Sequence, residues 1–131
     1  MSFNRVIPHS DEDYVEAVID GYEDWESAMH VIEKMTSMAE EMGTNRILLN
    51  FSTVDMRISV SEAPEIGELF HTLAPGLMAL GIIPSTEERA ARTIEAFSRY
   101  MDSQGHSSRF LTKQADIDAW VKKEKLYALK P

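Results

Sequence analysis

Between Trp25 and Met42 the apolar residues fall every three or four positions: Trp25, Ala28, Met29, Ile32, Met35, Met38, Ala39 and Met42. That spacing predicts one apolar stripe along a helix. Asp24 stands where an N-cap is expected and Gly43 where a left-handed stop is expected. Upstream, "FNRVI" (Phe3–Ile7) reads as a strand stopped by Pro8. "YVEAVID" follows as a second strand, with Val15, Ala17 and Ile19 on one face. The short separation between the two predicts an antiparallel hairpin at a sheet edge.

Downstream the period changes. "RILLNF" (Arg46–Phe51) is an almost unbroken apolar run, expected of a central strand covered on both faces. "SEAPEIGELFHTLAPG" returns to helical spacing, with Ile66, Leu69, Phe70 and Leu73 sharing a face. Pro64 is tolerated only in a first turn, which sets the helix start near Ser61 to Ala63. "LMALGII" (Leu77–Ile83) is a second buried strand. The next helix is expected to open with a capping box of Ser85 and Glu88, and to turn Ala91, Ile94, Phe97 and Met101 inward. "SSRFLT" is a short strand, and "QADIDAWVKK" is a last helix that packs Ile117, Trp120 and Val121. The order β-β-α-β-α-β-α-β-α predicts an α/β fold, a mixed sheet of four or five strands with helices packed on it. No repeat, low-complexity tract or long linker divides residues 1–131, so the expectation is a single domain.

Composition adds exclusions. The 131 residues include no cysteine, which removes disulfides, zinc-thiolate sites and thiol catalysis. The start carries no basic segment followed by a long apolar run, and no apolar run approaches about 20 residues. A cytoplasmic protein that is not membrane-integral is the expectation. The net charge is −9 and is unevenly spread. Residues 1–75 hold 4 Lys/Arg against 15 Asp/Glu, whereas residues 76–131 hold 9 against 7. Such a chain is a poor nucleic-acid binder, since phosphate contacts need cations. The acidic excess either keeps the surface solvated or steers a basic protein partner.

The candidate chemistry collects where the central strand ends. Ser52, Thr53, Ser59 and Ser61 surround Asp55 and Arg57 there. Carboxyl ends of parallel strands are where open α/β folds bind ligands. The plainer reading is that these hydroxyls cap the next helix and satisfy the turn. His9, His30, His71 and His106 are scattered without metal-ligand spacing, and His71 is expected to face solvent. No nucleophile elbow or phosphate loop is present, so neither an enzyme, a cofactor nor a metal is expected. Met29, Met35, Met38 and Phe70 would line an apolar pocket if the first two helices stood apart. In the tail, Leu126, Tyr127 and Leu129 extend the last helix, pack on the sheet edge or dock a second subunit as a homodimer contact.

The order of elements, together with "RILLNFSTV", "ALGIIPSTEERAARTIEAF" and "RFLTKQADIDAWV", resembles the anti-sigma factor antagonist (STAS) fold. The likeness is nearer still to the bacterial STAS/SEC14-like proteins, small stand-alone relatives, and runs from about Tyr14 to Val121. The resemblance implies a non-enzymatic regulatory module that binds a protein partner through the Ser52–Ser61 turn and the following helix. As an alternative it implies a carrier or sensor of a small apolar ligand or lipid, with a hydrolase using Ser59 or Ser61 a distant third. STAS switch proteins carry a phosphorylatable serine in an Asp-Ser-Ser-Gly setting. That serine aligns with Ser59, but Ile58, Val60 and Ser61 replace its neighbours and Asn50 replaces the strand's leading aspartate. The resemblance therefore implies the scaffold without an intact phospho-switch.

Overall fold

A computed structural model describes residues 3–122. In chain order its elements are β1 (Arg5–His9), β2 (Tyr14–Val18), β3 (Gly21–Glu23), α1 (Trp25–Met42), β4 (Arg46–Asn50) and β5 (Val54–Met56). There follow α2 (Ala63–Leu73), β6 (Ala79–Ile83), α3 (Glu88–Ser103), β7 (Ser107–Phe110) and α4 (Gln114–Lys122). Short 3-10 turns stand at Ser10–Glu12 and Val60–Glu62. The main sheet runs β1-β2-β4-β6-β7, and a second sheet pairs β3 with β5. Only β1 is antiparallel to its neighbour, so the architecture is α/β with a mixed five-stranded sheet. No helix among the described residues is long and apolar enough to cross a membrane.

Alternation along the inner strands sorts side chains between two layers. Val15, Ala17, Ile47, Leu49, Leu80 and Ile82 face α1, α2 and α3, whose Ile32, Met35, Phe70, Ile94 and Met101 complete that core. Tyr14, Leu48 and Leu111 turn the other way and meet Trp120 of α4. Each large side chain so buried contributes about 1.5–3 kcal/mol. Strand β4 lies in the middle of the sheet with cover on both sides, as its unbroken apolar run requires. Gly81 of β6 is a necessity of this packing, because a Cβ there would fall 2.8 Å from the Trp120 ring.

Helix α1 is capped as its ends foretold: Asp24 and Ser27 form a reciprocal capping box and Gly43 closes the helix at φ 69°. Several expectations need correction. Pro8 does not stop β1, which continues to His9; on an edge strand the missing amide hydrogen leaves no central ladder bond unmade. Trp25 and Leu73, the terminal members of their predicted stripes, are exposed, because a stripe faces the sheet only where neighbouring turns hold it there. In α3 it is Ala90, not Ala91, that is fully buried. The cap of that helix is Glu87, whose carboxylate accepts from the Arg89 and Ala90 amides, while Ser85 accepts from the Glu87 amide. Glu88 instead pairs with Arg92 one turn on. The apolar tail residues Leu126, Tyr127 and Leu129 lie outside the described residues.

Candidate functional site

The exit from β4 is built by short-range bonds. Asn50 ends the strand, and its side-chain oxygen accepts from both the Ser52 amide and the Ser52 hydroxyl, at 3.0 and 2.7 Å. This Asx turn reverses the chain. The Gly21 amide donates to the Thr53 carbonyl, and β3 and β5 then run side by side. Asp55 and Tyr22 are register partners pointing outward. Arg57 donates to Asp55 at 2.9 Å and lies over the Tyr22 ring at 5.2 Å. The hydrogen bond it donates to Asp55 and the negative charge of that carboxylate raise the guanidinium's pKa further.

Ser59 closes the turn as a helix cap. Its hydroxyl accepts from the Glu62 amide, and the Glu62 carboxylate accepts from the Ser59 amide at 2.9 Å. The same carboxylate oxygen lies 3.0 Å from the Ser59 hydroxyl, which is also 3.0 Å from that of Ser61. These bonds from Ser59, the backbone amide first, hold the Glu62 carboxyl below the usual carboxylate range. The hydroxyl is thus occupied both as donor and acceptor. A phosphoryl group on Ser59 would stand against the Glu62 carboxylate and repel it. Ser52, Asp55, Arg57, Ser59 and Ser61 are each exposed, and short-range bonds hold them: Ser52 to Asn50, Arg57 to Asp55, and Ser59 to Ser61 and Glu62.

The proposed apolar lining divides. Met35 and Phe70 do line a cavity of about 50 Å³ between the sheet and α1, α2 and α3, together with Ile32, Ile66, Ile94 and Phe97. Met29 and Met38 do not line it; both are half-buried on α1, rotated away from the space that Met35 faces. Two polar lining residues went unforeseen, Thr93 of α3, whose hydroxyl donates to the Ile58 carbonyl, and Glu23. Glu23 of β3 is buried, and its Oε1 accepts from Asn4 Nδ2 and Ser27 Oγ, both at 2.8 Å. Burial raises the pKa of this carboxyl, and the two hydrogen bonds offset that only in part.

The histidines also depart from expectation. His71, expected in solvent, is half-buried on the last turn of α2 with its Nδ1 2.8 Å from His106 Nε2. Thirty-five residues separate the two, and no local pattern marks the pairing. Among the described residues no group of three His, Asp or Glu side chains is placed to hold a metal ion.

No protein-family profile matches the chain, and no curated protein matches it. Among solved structures, one titled "Crystal Structure Analysis of Mglu" aligns at TM-score 0.37 and 14% identity. The alignment covers 84% of this chain and 19% of that one, so this chain spans about a fifth of its length. At that score the likeness carries no argument about fold or function.

Proposed function

We propose that the protein is a non-enzymatic interaction module that docks a protein partner on the carboxyl end of its parallel strands. One observation carries the reading. Of seven large apolar side chains exposed among the described residues, five follow the carboxyl ends of strands or sit beside them. They are Phe3, whose amide bonds to Asp20 just past β2, then Tyr22, Trp25, Val60 and Phe110. Each is between 38% and 57% exposed. Tyrosine, tryptophan and arginine are the residues that dominate protein interfaces, and Arg57 lies over the Tyr22 ring at this end. The net charge of −9 favours a basic partner. The STAS-like resemblance agrees in site, the turn after the central strand, and the occupied Ser59 hydroxyl agrees with docking that needs no phospho-switch.

A photo-crosslinking side chain at Val60, with the same group at Leu77 as control, tests the proposal in a lysate of the encoding organism. The expected outcome is one specific protein captured at Val60 and absent at Leu77. With that partner purified, Trp25→Ala and Tyr22→Ala should each weaken binding about tenfold or more. The same proteins captured at both positions, or unchanged affinity in both variants, would sink the reading.

The apolar cavity favours a second reading, a sensor of a small apolar ligand. About 50 Å³ is a third of the roughly 150 Å³ cavity known to admit benzene, so a lipid chain would require α1 and α2 to part. Native mass spectrometry of freshly purified protein decides this: a retained apolar molecule supports it, and a bare polypeptide mass counts against it.

A further inference from the structure

The amino ends of β6 and β7 are joined by a chain of hydrogen bonds that admits only one arrangement of protons. The Met78 amide, one residue before β6, donates to Nδ1 of His106 at 2.9 Å. An amide nitrogen can only donate, so Nδ1 must be bare and the His106 proton must sit on Nε2. Nε2 then donates to His71 Nδ1 at 2.8 Å, and the His71 proton is left on its own Nε2. Both rings are neutral in this arrangement.

No protonated state keeps both bonds. A proton added to His71 lands on Nδ1 and confronts the Nε2–H of His106 across 2.8 Å. If His106 yields by moving its proton to Nδ1, that proton confronts the Met78 N–H instead. A proton added directly to His106 meets the Met78 amide at once. Whichever ring takes the first proton, one link is lost because two donors then face each other.

We propose that His71 and His106 form a proton-sensitive latch, which fastens the α2–β6 connection to the α3–β7 turn and releases it when the pair takes up a proton. The connection runs from Ala74 to Met78, and its Leu77 side chain is exposed over Gly105 of the α3–β7 turn. The titratable and charged groups facing His106 are His71 from α2 and Asp102 from α3. Phe70 meets the ring edge-on at 6.4 Å, and Met78 supplies only its amide from the β6 side. Burial is the largest influence and lowers the His106 pKa; His71 lowers it further, and Asp102 opposes both. Asp102 acts on His106 through its charge and not through a hydrogen bond, and its Oδ1 accepts from the amide and hydroxyl of Ser108.

The sign follows directly. The latched form binds fewer protons than the released form, so latching is complete above the ordinary histidine range and weakens as pH falls through about 6.5. Each further pH unit should favour release roughly tenfold until the latched pair itself titrates.

Amide hydrogen exchange of the intact protein, followed by NMR between about pH 8 and about pH 5, tests the latch. The protection factor of Met78, corrected for intrinsic exchange, should fall roughly tenfold per unit below about pH 6.5. Amides in the middle of β4 should hold their protection over the same interval. His71→Gln keeps an acceptor for His106 but leaves one imidazole in place of two, so the onset should move to lower pH. Constant Met78 protection across the range overturns the proposal. So does a pH profile in His71→Gln that matches the wild type, which would leave the pair a purely structural bond.

Discussion

At the amino ends of the strands, Thr44, Arg46 and His106 are polar and buried; at the carboxyl ends, Phe3, Tyr22, Trp25, Val60 and Phe110 are apolar and exposed. Most of the exposed large apolar side chains thus gather at the carboxyl end, with Leu73 and Leu77 at the other, where three polar side chains are buried. Buried polar groups are tolerated only when bonded, and such bonding fixes one geometry. Exposed apolar groups are left without protein cover and gain by being covered. The first end reads as the structural anchor of the molecule, and the second is the surface proposed to dock a partner. Strand β4 spans the contrast, from Arg46 at its start to Asn50 at its exit.

Arg46 offers the most severe test of the anchoring end. Its guanidinium donates to the carbonyls of Glu12 and Asp13 before β2 and to those of Trp120 and Val121 at the end of α4. It also stacks on the Trp120 ring at 4.3 Å. One cation therefore ties the β1–β2 connection to a helix C-terminus, where a positive charge is also favoured by the helix dipole. Arg46→Met keeps the apolar stem and strands the buried Trp120 carbonyl and the part-buried carbonyls beside it. We expect a loss of about 3 kcal/mol in urea unfolding, the largest of the effects argued here. A change below about 0.5 kcal/mol would mean that this end is no anchor.

How much of this was legible in the sequence follows the range of the interactions. The layered α/β order, the hairpin edge, the central position of Arg46–Phe51 and the caps of α1 are written in local period and in nearest neighbours, and each appears in the structure. The Ser59 cap was equally local, its partner standing three residues on. What escaped was non-local. The β3–β5 pair is two three-residue strands, too short to show a period, joined across more than thirty residues. Arg46 reaches a carbonyl 74 residues away, and His71 finds His106 at a separation of 35. Single-residue pairings of that kind leave no spacing to read. The expected pocket between the first two helices is lined by α3 and the sheet as well, and Met29 and Met38, though at helical spacing, fall at the margins of the α1 stripe and off the pocket's lining.

Ser59 probes the carboxyl end with a smaller effect. Ser59→Ala removes the acceptor for the Glu62 amide and the hydroxyl that faces the Glu62 carboxylate. The expected loss is about 1 kcal/mol, the usual value of an N-cap, seen as a lowered thermal midpoint. Because the capping box only shapes the turn, the five apolar side chains should stay exposed and partner capture at Val60 should persist. A loss of several kcal/mol would show this end to be as deeply anchored as the other, and would break the contrast.

Glu23 is the exception that sharpens it: a polar side chain at the carboxyl end that is nonetheless buried. Its carboxyl is raised in pKa chiefly by desolvation, so the folded state binds a proton more readily than the unfolded chain. The sign is opposite to that of the histidine latch. Stability due to this group is fully present below the ordinary glutamate pKa and declines as pH rises through the raised value. Glu23→Gln keeps an oxygen to accept from Asn4 and Ser27 and has no charge to desolvate. The variant should therefore match the wild type near pH 4 and exceed it near pH 8, by less than about 1 kcal/mol. Urea unfolding at both pH values reads the difference. If the variant were less stable at pH 8, the charged carboxylate would itself be a stabilising bond acceptor in the folded state. The carboxyl end would then carry an anchor of its own, beneath the surface proposed to dock a partner.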